Sequence, residues 1–390
     1  MGRYLRLYAL SMVISVCTAM PAFAEDPAML VRVMVESPSD SMLLSAMDLD
    51  ITSAKRGIYV DIVATEDRLR VLKDIGFRAS VLNEDLRGYF KEKINMDGQL
   101  GAYHTYGEML TEMKAIASAY PSITRLIDIG DSWEKANSIA DRDIWAMKIT
   151  DMPDETELEE PAVLIVGNHH AREIITVEVP LAVIRALTEG YAKDWRIKRL
   201  VDSREIWVVP MMNPDGHNYV ATADSLWRKN RNTNGYSNPY YQGVDLNRNY
   251  SYKWAYDDIG SSPFEDSSVY RGTAPFSEPE TQAIKNLMEH RAFILSISYH
   301  SYGDLFLFPW GYIDADTADH DSFDILGRIY TKKNGYRYGN AKDGIIYNTN
   351  GEMCDWVYGE TFAKPRGFAV TVEVGDAFQP PEDTIDDLIM

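Results

Sequence analysis

The sequence predicts an α/β fold, a mixed, mostly parallel twisted sheet flanked by helices, preceded by a small α+β domain. Three observations carry this. Ala162–Val166 and Ile294–Ser298 are mostly apolar runs without polar alternation, as in strands covered on both faces. From Tyr103 onward, strand-like and helix-like segments alternate over a length suited to one large domain. Before Gly88, shorter strands and helices alternate over about 60 residues, the pattern of a small α+β unit.

The chain opens with Arg3 and Arg6, an apolar run from Leu7 to Met20, and Ala22-Phe23-Ala24. A charged start, a short apolar stretch and an A-x-A site predict a secretory signal over residues 1–24, with export to the periplasm or the extracellular space. The run is too short and interrupted for a membrane span, so no membrane anchor is expected. Its removal takes two arginines and no acids, moving the net charge from −20 to −22. Such acidity argues against a nucleic-acid partner, which needs clustered Lys and Arg. Cys354 is then the one remaining cysteine, so no intrachain disulfide is possible; a core of this size needs no such staple.

In the small domain, Leu30–Glu36 and Gly57–Val63 read as strands, Glu66–Ile75 as a helix and Phe77–Leu82 as a strand. Gly88–Ala102 has no sustained apolar period and reads as a linker. In the large domain, Gly107–Ala119 reads as a helix. Strands are predicted at Thr124–Ile129, Asp143–Ile149, Ala162–Val166, Glu205–Val209, Ile294–Ser298 and Phe368–Val374. A helix over Thr176–Glu189 requires Pro180 in its first turn. Ser277-Glu278-Pro279-Glu280 supplies an N-cap, a proline and a capping-box glutamate for a helix to about His290.

The strand Ala162–Val166 runs into Gly167-Asn168-His169-His170-Ala171-Arg172-Glu173, placing polar residues where α/β proteins open their clefts. An H-x-x-E pair can offer an imidazole nitrogen and a carboxylate oxygen to one ion. A catalytic zinc usually takes three protein ligands, and His300, also at the end of a buried strand, is the third candidate. Glu373 is a lone acid in an apolar strand-like run, an expensive placement unless it is paired or used.

Six segments, Gly167–Glu173, Trp227–Arg231, Val244–Asn249, His300–Tyr302, Tyr347–Trp356 and Val370–Val374, resemble in order and spacing the zinc carboxypeptidases of the pancreatic A/B and bacterial carboxypeptidase T type. The likeness runs from roughly Tyr103 to the C-terminus. It implies one zinc ion per chain held by His170, Glu173 and His300, with His169 a neighbouring loop residue; a structural calcium is left open. Asp245 matches an aspartate that hydrogen-bonds a zinc-bound histidine. Asn247 and Arg248 match a clamp on the substrate's terminal carboxylate, a task that suits the planar fork of arginine. Tyr347 matches a mobile tyrosine closing over that group. Glu373 matches the general base, Arg231 the arginine stabilising the oxyanion, and Arg228 a substrate contact.

The resemblance also implies a specificity pocket. Cys354 falls at its floor, where a small uncharged residue suits apolar C-terminal side chains. Glu352 falls where members with mixed specificity carry an acid, so Lys and Arg are expected to be cleaved as well. Residues 25–87 match a pro-domain covering the cleft until proteolysis within the linker 88–102, which makes residues 103–390 the catalytic domain. The chain ends 17 residues after Glu373, and Pro380–Met390 reads as the start of a final helix. The expected partners are peptide or protein C-termini, met by a monomer. Two alternatives carry different expectations: a murein stem-peptide carboxypeptidase with the same site, or an inactive peptide-binding protein of the same fold. The second is marked by loss of a ligand, base or clamp arginine, and none is lost here.

Overall fold

The structure is a computed structural model describing residues 28–389 except 46, 56, 94–99 and 158. The proposed signal at residues 1–24 and part of the linker lie outside the described residues. Two compact units divide between Tyr89 and Phe90.

The first unit is an antiparallel sheet of β1 (Met29–Met34), β2 (Asp50–Lys55), β3 (Tyr59–Ala64) and β4 (Ala79–Asn83), in the order β2-β3-β1-β4. Period-two alternation points Met29, Val31 and Val33 inward, where they meet Ile62 and the Leu69 and Leu72 side chains of the helix Glu66–Asp74. Thr65 caps that helix, its side chain accepting from the Arg68 amide. At the start of the linker expected over Gly88–Ala102, Gly88 sits inside a helix, Leu86–Lys93. A glycine only weakens a helix, and Asp85 compensates by accepting from the Gly88 amide.

The second unit contains β5 (Thr124–Asp131), β6 (Asp143–Ile149), β7 (Ala162–Val166), β8 (Glu205–Val209), β9 (Phe293–His300), β10 (Leu305–Leu307), β11 (Arg337–Gly339) and β12 (Phe368–Glu373). They form one sheet in the order β11-β10-β12-β9-β7-β8-β6-β5. The middle four, β12, β9, β7 and β8, are parallel, while β10 and β6 join them antiparallel. The mixed, mostly parallel sheet of the sequence prediction is therefore present. Alternate residues of β7 and β8 enter different apolar clusters: Ile165 and Val208 on one face, Leu164, Val166 and Trp207 on the other. Burying each such side chain contributes about 2 kcal/mol, which is why these strands lack polar alternation.

Two sequence expectations change. Pro180 is the sixth residue of the helix Ile175–Gly190, not part of its first turn. It leaves the Thr176 carbonyl without its usual helical donor. Gly167 packs directly against that carbonyl, where a Cβ would collide with it and with the Pro210 carbonyl. The missing N–H and the missing side chain together let the strand end approach the helix. The helix Pro279–Glu289 is preceded by Glu278 rather than capped by Ser277. The Ser277 hydroxyl instead donates to Glu278 Oε1, and Glu280 turns inward to accept from Asn230 and the Trp133 amide.

The start of the large unit is anchored by charge. The Glu178 carboxylate accepts from the His104 amide and meets His104 Nδ1, both at 2.8 Å, while Glu112 lies 2.9 Å from Nε2 and also takes the Arg185 guanidinium. Hydrogen bonds that the imidazole donates to Glu112 and Glu178 raise His104 to about 9 from its ordinary 6.5. Burial pushes Glu112 up, but His104 and Arg185 outweigh it and bring it down to about 2 from 4.5. A raised histidine stabilises the fold fully below pH 6.5 and stops doing so as pH rises through 9; a depressed glutamate does so above 4.5 and stops as pH falls through 2. The stability lost in His104→Gln should therefore be greatest between pH 4.5 and 6.5. It should be about 1–2 kcal/mol, allowing for partial solvation, and vanish above pH 9. Urea unfolding across pH checks this, and a difference that does not vary with pH contradicts it.

Candidate active site

Because β7, β9 and β12 are parallel neighbours, their C-terminal ends open on the same edge of the sheet. Past β7, Asn168 adopts a left-handed conformation (φ 59°), and its amide donates to the carbonyls of His170, Ala171 and Glu173. This buried asparagine ties the loop into a tight turn. Asn213, at the start of the helix Pro214–Thr222, donates to the His169 and Lys229 carbonyls and binds the turn to the next loop. Asn168 is read from the sequence only as part of the Gly167–Glu173 segment, whereas Asn213-Pro214-Asp215-Gly216 resembles a turn motif of the family. Asn213-Pro214 does carry a signal, an N-cap followed by a first-turn proline.

The turn and the strand end bring three predicted residues together. His170 Nδ1 lies 2.7 Å from Glu173 Oε1, His300 Nδ1 lies 3.0 Å from Glu173 Oε2, and the two Nδ1 atoms face each other at 3.0 Å. All three residues are buried. Burial pushes Glu173 up, but His170 and His300 outweigh it and hold the carboxyl well below its usual range. Burial and Arg228 hold His170 down; burial also opposes charge on His300, but Glu173 tips that imidazole upward. Two ring nitrogens and two carboxylate oxygens thus surround a point that favours positive charge. Two imidazoles and one carboxylate are a zinc donor set, and these residues fit it. The fit extends outward, because His170 Nε2 meets Asp245 Oδ1 at 3.2 Å, which directs its Nδ1 lone pair to the centre.

Asp245 is fully buried and also accepts from the Asn247 amide and, through Oδ2, from Arg228 Nε and Nη2 at 3.0 and 2.8 Å. Arg228 Nη1 lies 3.9 Å from Glu173 Oε1. Arg231 is elsewhere. Its guanidinium lies over the Tyr219 and Trp227 rings and donates to Gln242 Oε1, with Glu134 4.0 Å away. The resemblance implies an oxyanion role for Arg231 and a substrate contact for Arg228; in the structure it is Arg228, not Arg231, whose guanidinium lies beside Glu173 and Asp245. Both arginines follow the same tryptophan, and only the path of the loop, pinned by the Ala171 amide on the Arg228 carbonyl, separates them.

Arg248 is buried, donating to the Gly260 and Asn247 carbonyls, and among the described residues no carboxylate pairs with it. A buried cation without a counter-ion is costly, so it marks a place for an anion. Asn247 is held by its Oδ1, which accepts from the Met353 amide, and its Nδ2 lies 3.4 Å from His300 Nε2. Burial pushes the Tyr347 phenol up, with Arg248, Arg228 and Glu373 acting on it. Glu373 pairs with His300 across β12 and β9, and burial pushes its carboxyl up to about 8 against the pull of His300 and Arg228.

Glu352 precedes the helix Met353–Gly359 and accepts from Thr349 Oγ1 at 2.6 Å. Among the described residues no cation pairs with it. Asp355, fully buried, accepts from the Gly311 and Tyr312 amides, and burial and Glu352 push its carboxyl well up. Cys354 is buried in the apolar cluster around Trp356, and burial raises its thiol. No helix among the described residues is long and apolar enough to cross a membrane.

An α/β sheet carrying a His-Glu-His donor set, a buried arginine and a lone glutamate at its parallel edge defines a metal-dependent hydrolase. The profile of the family described as "Zinc carboxypeptidase" matches residues 109–389, and the chain belongs to that family. It is 32% identical over 369 residues to a "Zinc carboxypeptidase" of Saccharothrix mutabilis subsp. capreolus, covering 88% of this chain and 81% of the relative. It is 30% identical to "Carboxypeptidase B" of Astacus astacus, covering 73% and 91%. The carboxypeptidase A structure from Helicoverpa armigera shares the fold, with a TM-score of 0.81 at 21% identity over 93% of this chain and 94% of that one. The family is zinc-dependent and its members hydrolyse peptides at the C-terminus.

Asp245→Asn leaves the Arg228 guanidinium buried beside a neutral amide. The expected loss is about 3–5 kcal/mol in denaturant unfolding; a loss below about 1 kcal/mol would mean that water already solvates the pair.

Proposed function

We propose that this chain removes C-terminal residues from peptides with one zinc ion held by His170, Glu173 and His300. What carries the reading is the donor triangle together with a buried cation, Arg248, whose hydrogen-bond partners among the described residues are carbonyls and not carboxylates. A free C-terminal carboxylate supplies the anion that Arg248 lacks, with Asn247 and Tyr347 completing the clamp. When bound, zinc polarises the scissile carbonyl and acidifies water. Glu373 takes a proton from the attacking water and passes it to the leaving amine; a carboxyl raised toward neutrality suits both steps. Arg228, beside Glu173, donates to the oxygen that becomes negative. The signal-like residues 1–24 support export, and the small N-terminal unit is proposed as a pro-segment.

Release of C-terminal Leu and Arg from blocked peptides, before and after limited digestion within residues 88–102, tests this reading. Zinc-dependent release should fall about a thousandfold in Glu373→Gln with zinc still bound. Zinc bound without release from either peptide overturns it.

Specificity rests on the unpaired Glu352 carboxylate and the small Cys354. We expect apolar residues to be accepted and Lys and Arg to be drawn by Glu352. Glu352→Gln should lower kcat/KM about tenfold for C-terminal Arg, the value of one charge-assisted bond, and leave Leu nearly unchanged. Equal losses on both substrates sink the assignment.

A further inference from the structure

His169 lies next to a proposed ligand in sequence and reads there as loop filler. In the structure it is fully buried, and both ring nitrogens have partners. Nε2 lies 2.8 Å from Tyr250 Oη and Nδ1 lies 3.2 Å from Ser298 Oγ. The same Ser298 hydroxyl lies 3.1 Å from His300 Nε2. The His169 and His300 rings are nearly parallel, 17° apart with centroids 5.5 Å apart. Tyr250, His169, Ser298 and His300 therefore form one buried chain ending at the donor triangle.

The direction of each bond follows from the far end. His300 Nδ1 faces His170 and Glu173, so as a ligand it carries a lone pair there and its proton sits on Nε2. That N–H needs an acceptor. Asn247 Nδ2, 3.4 Å away, offers only hydrogens, because Asn247 Oδ1 is committed to the Met353 amide. Ser298 Oγ is the acceptor that remains. Its own hydrogen is then directed to the other group described beside it, His169 Nδ1. His169 must therefore carry its proton on Nε2, where it meets the Tyr250 oxygen.

We infer that His169 is a positioning residue: through Ser298 it fixes the tautomer and ring angle of His300 and so holds zinc at the site. The inference rests on the zinc reading above. His170 has Asp245 behind it; His300 has no carboxylate behind its Nε2 among the described residues, and the Tyr250–His169–Ser298 chain fills that place. A neutral chain orients the ring without adding negative charge next to Glu173 and Glu373.

The test is zinc loss from the full-length protein to an excess of chelator, with the stability of the metal-free form measured alongside. Groups behind metal ligands are worth about 10–100-fold in metal affinity. Ser298→Ala and His169→Leu should each speed zinc loss at least about tenfold. Because they break the same chain, the double variant should be no faster than the worse single one. His169→Gln, which can still accept from Ser298, should recover most of the difference. The visible spectrum of the cobalt-substituted protein should shift in Ser298→Ala, and kcat should fall with KM unchanged. A structural role alone lowers metal-free stability without moving the cobalt spectrum, and that result overturns the inference. Rates within twofold of wild type, or losses that multiply in the double variant, overturn it too. Ser298→Ala removes a single atom and carries the test if His169→Leu does not fold. A wild-type protein that binds no zinc defeats the underlying reading instead.

Discussion

Asp245 is a carboxylate with no access to water, and such a group persists only when donors replace the water it has lost. It takes them from three directions: the His170 ring, the Arg228 guanidinium and the Asn247 amide. Each comes from a different stretch of chain, so satisfying one charge draws the H-x-x-E turn, the Trp227–Arg231 segment and the Val244–Asn249 segment together. His170 and Glu173 are then aimed, Arg228 is set beside Glu173, and Arg248 follows two residues after Asn247's neighbour Leu246. The negative charge of Asp245 is compensated by Arg228, with His170 and Arg248 adding to the hold on its ionised form.

The ionic balance of the site is deliberately incomplete elsewhere. Arg248 has backbone carbonyls around it and no carboxylate partner among the described residues, while Glu352 has a threonine hydroxyl and no cation. Elsewhere in the same unit Lys148 and Glu205, both buried, pair at 2.8 Å. In the proposed reading, a peptide terminus brings a carboxylate for Arg248 and a basic side chain brings a cation for Glu352. Asp355 lies close to Glu352, and burial together with that neighbouring carboxylate pushes the Asp355 carboxyl well up.

Much of this arrangement was legible before any coordinates. Continuous apolar runs at β7 and β9 announced strands buried on both faces, because such strands leave no position for a polar side chain. Metal-binding residue types at both strand ends named His170, Glu173 and His300. The two arginines after Trp227 were the failure: three residues apart in a loop without periodicity, nothing local tells which one turns inward. Pro180 and the Ser277 cap failed for a related reason, since local rules put both at a helix start and contacts made across the fold decided otherwise.

His169 shows the same division. Its identity and its place beside His170 are matters of sequence, and on those grounds it is an ordinary loop residue. Whether it touches Ser298, 129 positions later, depends on β7 and β9 lying side by side in parallel. Sequence by itself determined the family, the donor set and the strands that present it, because these rest on residue type and local pattern. Only the tertiary structure decided which arginine faces the centre, which charges go unpaired and what stands behind each histidine, because those depend on contacts between segments far apart in the chain.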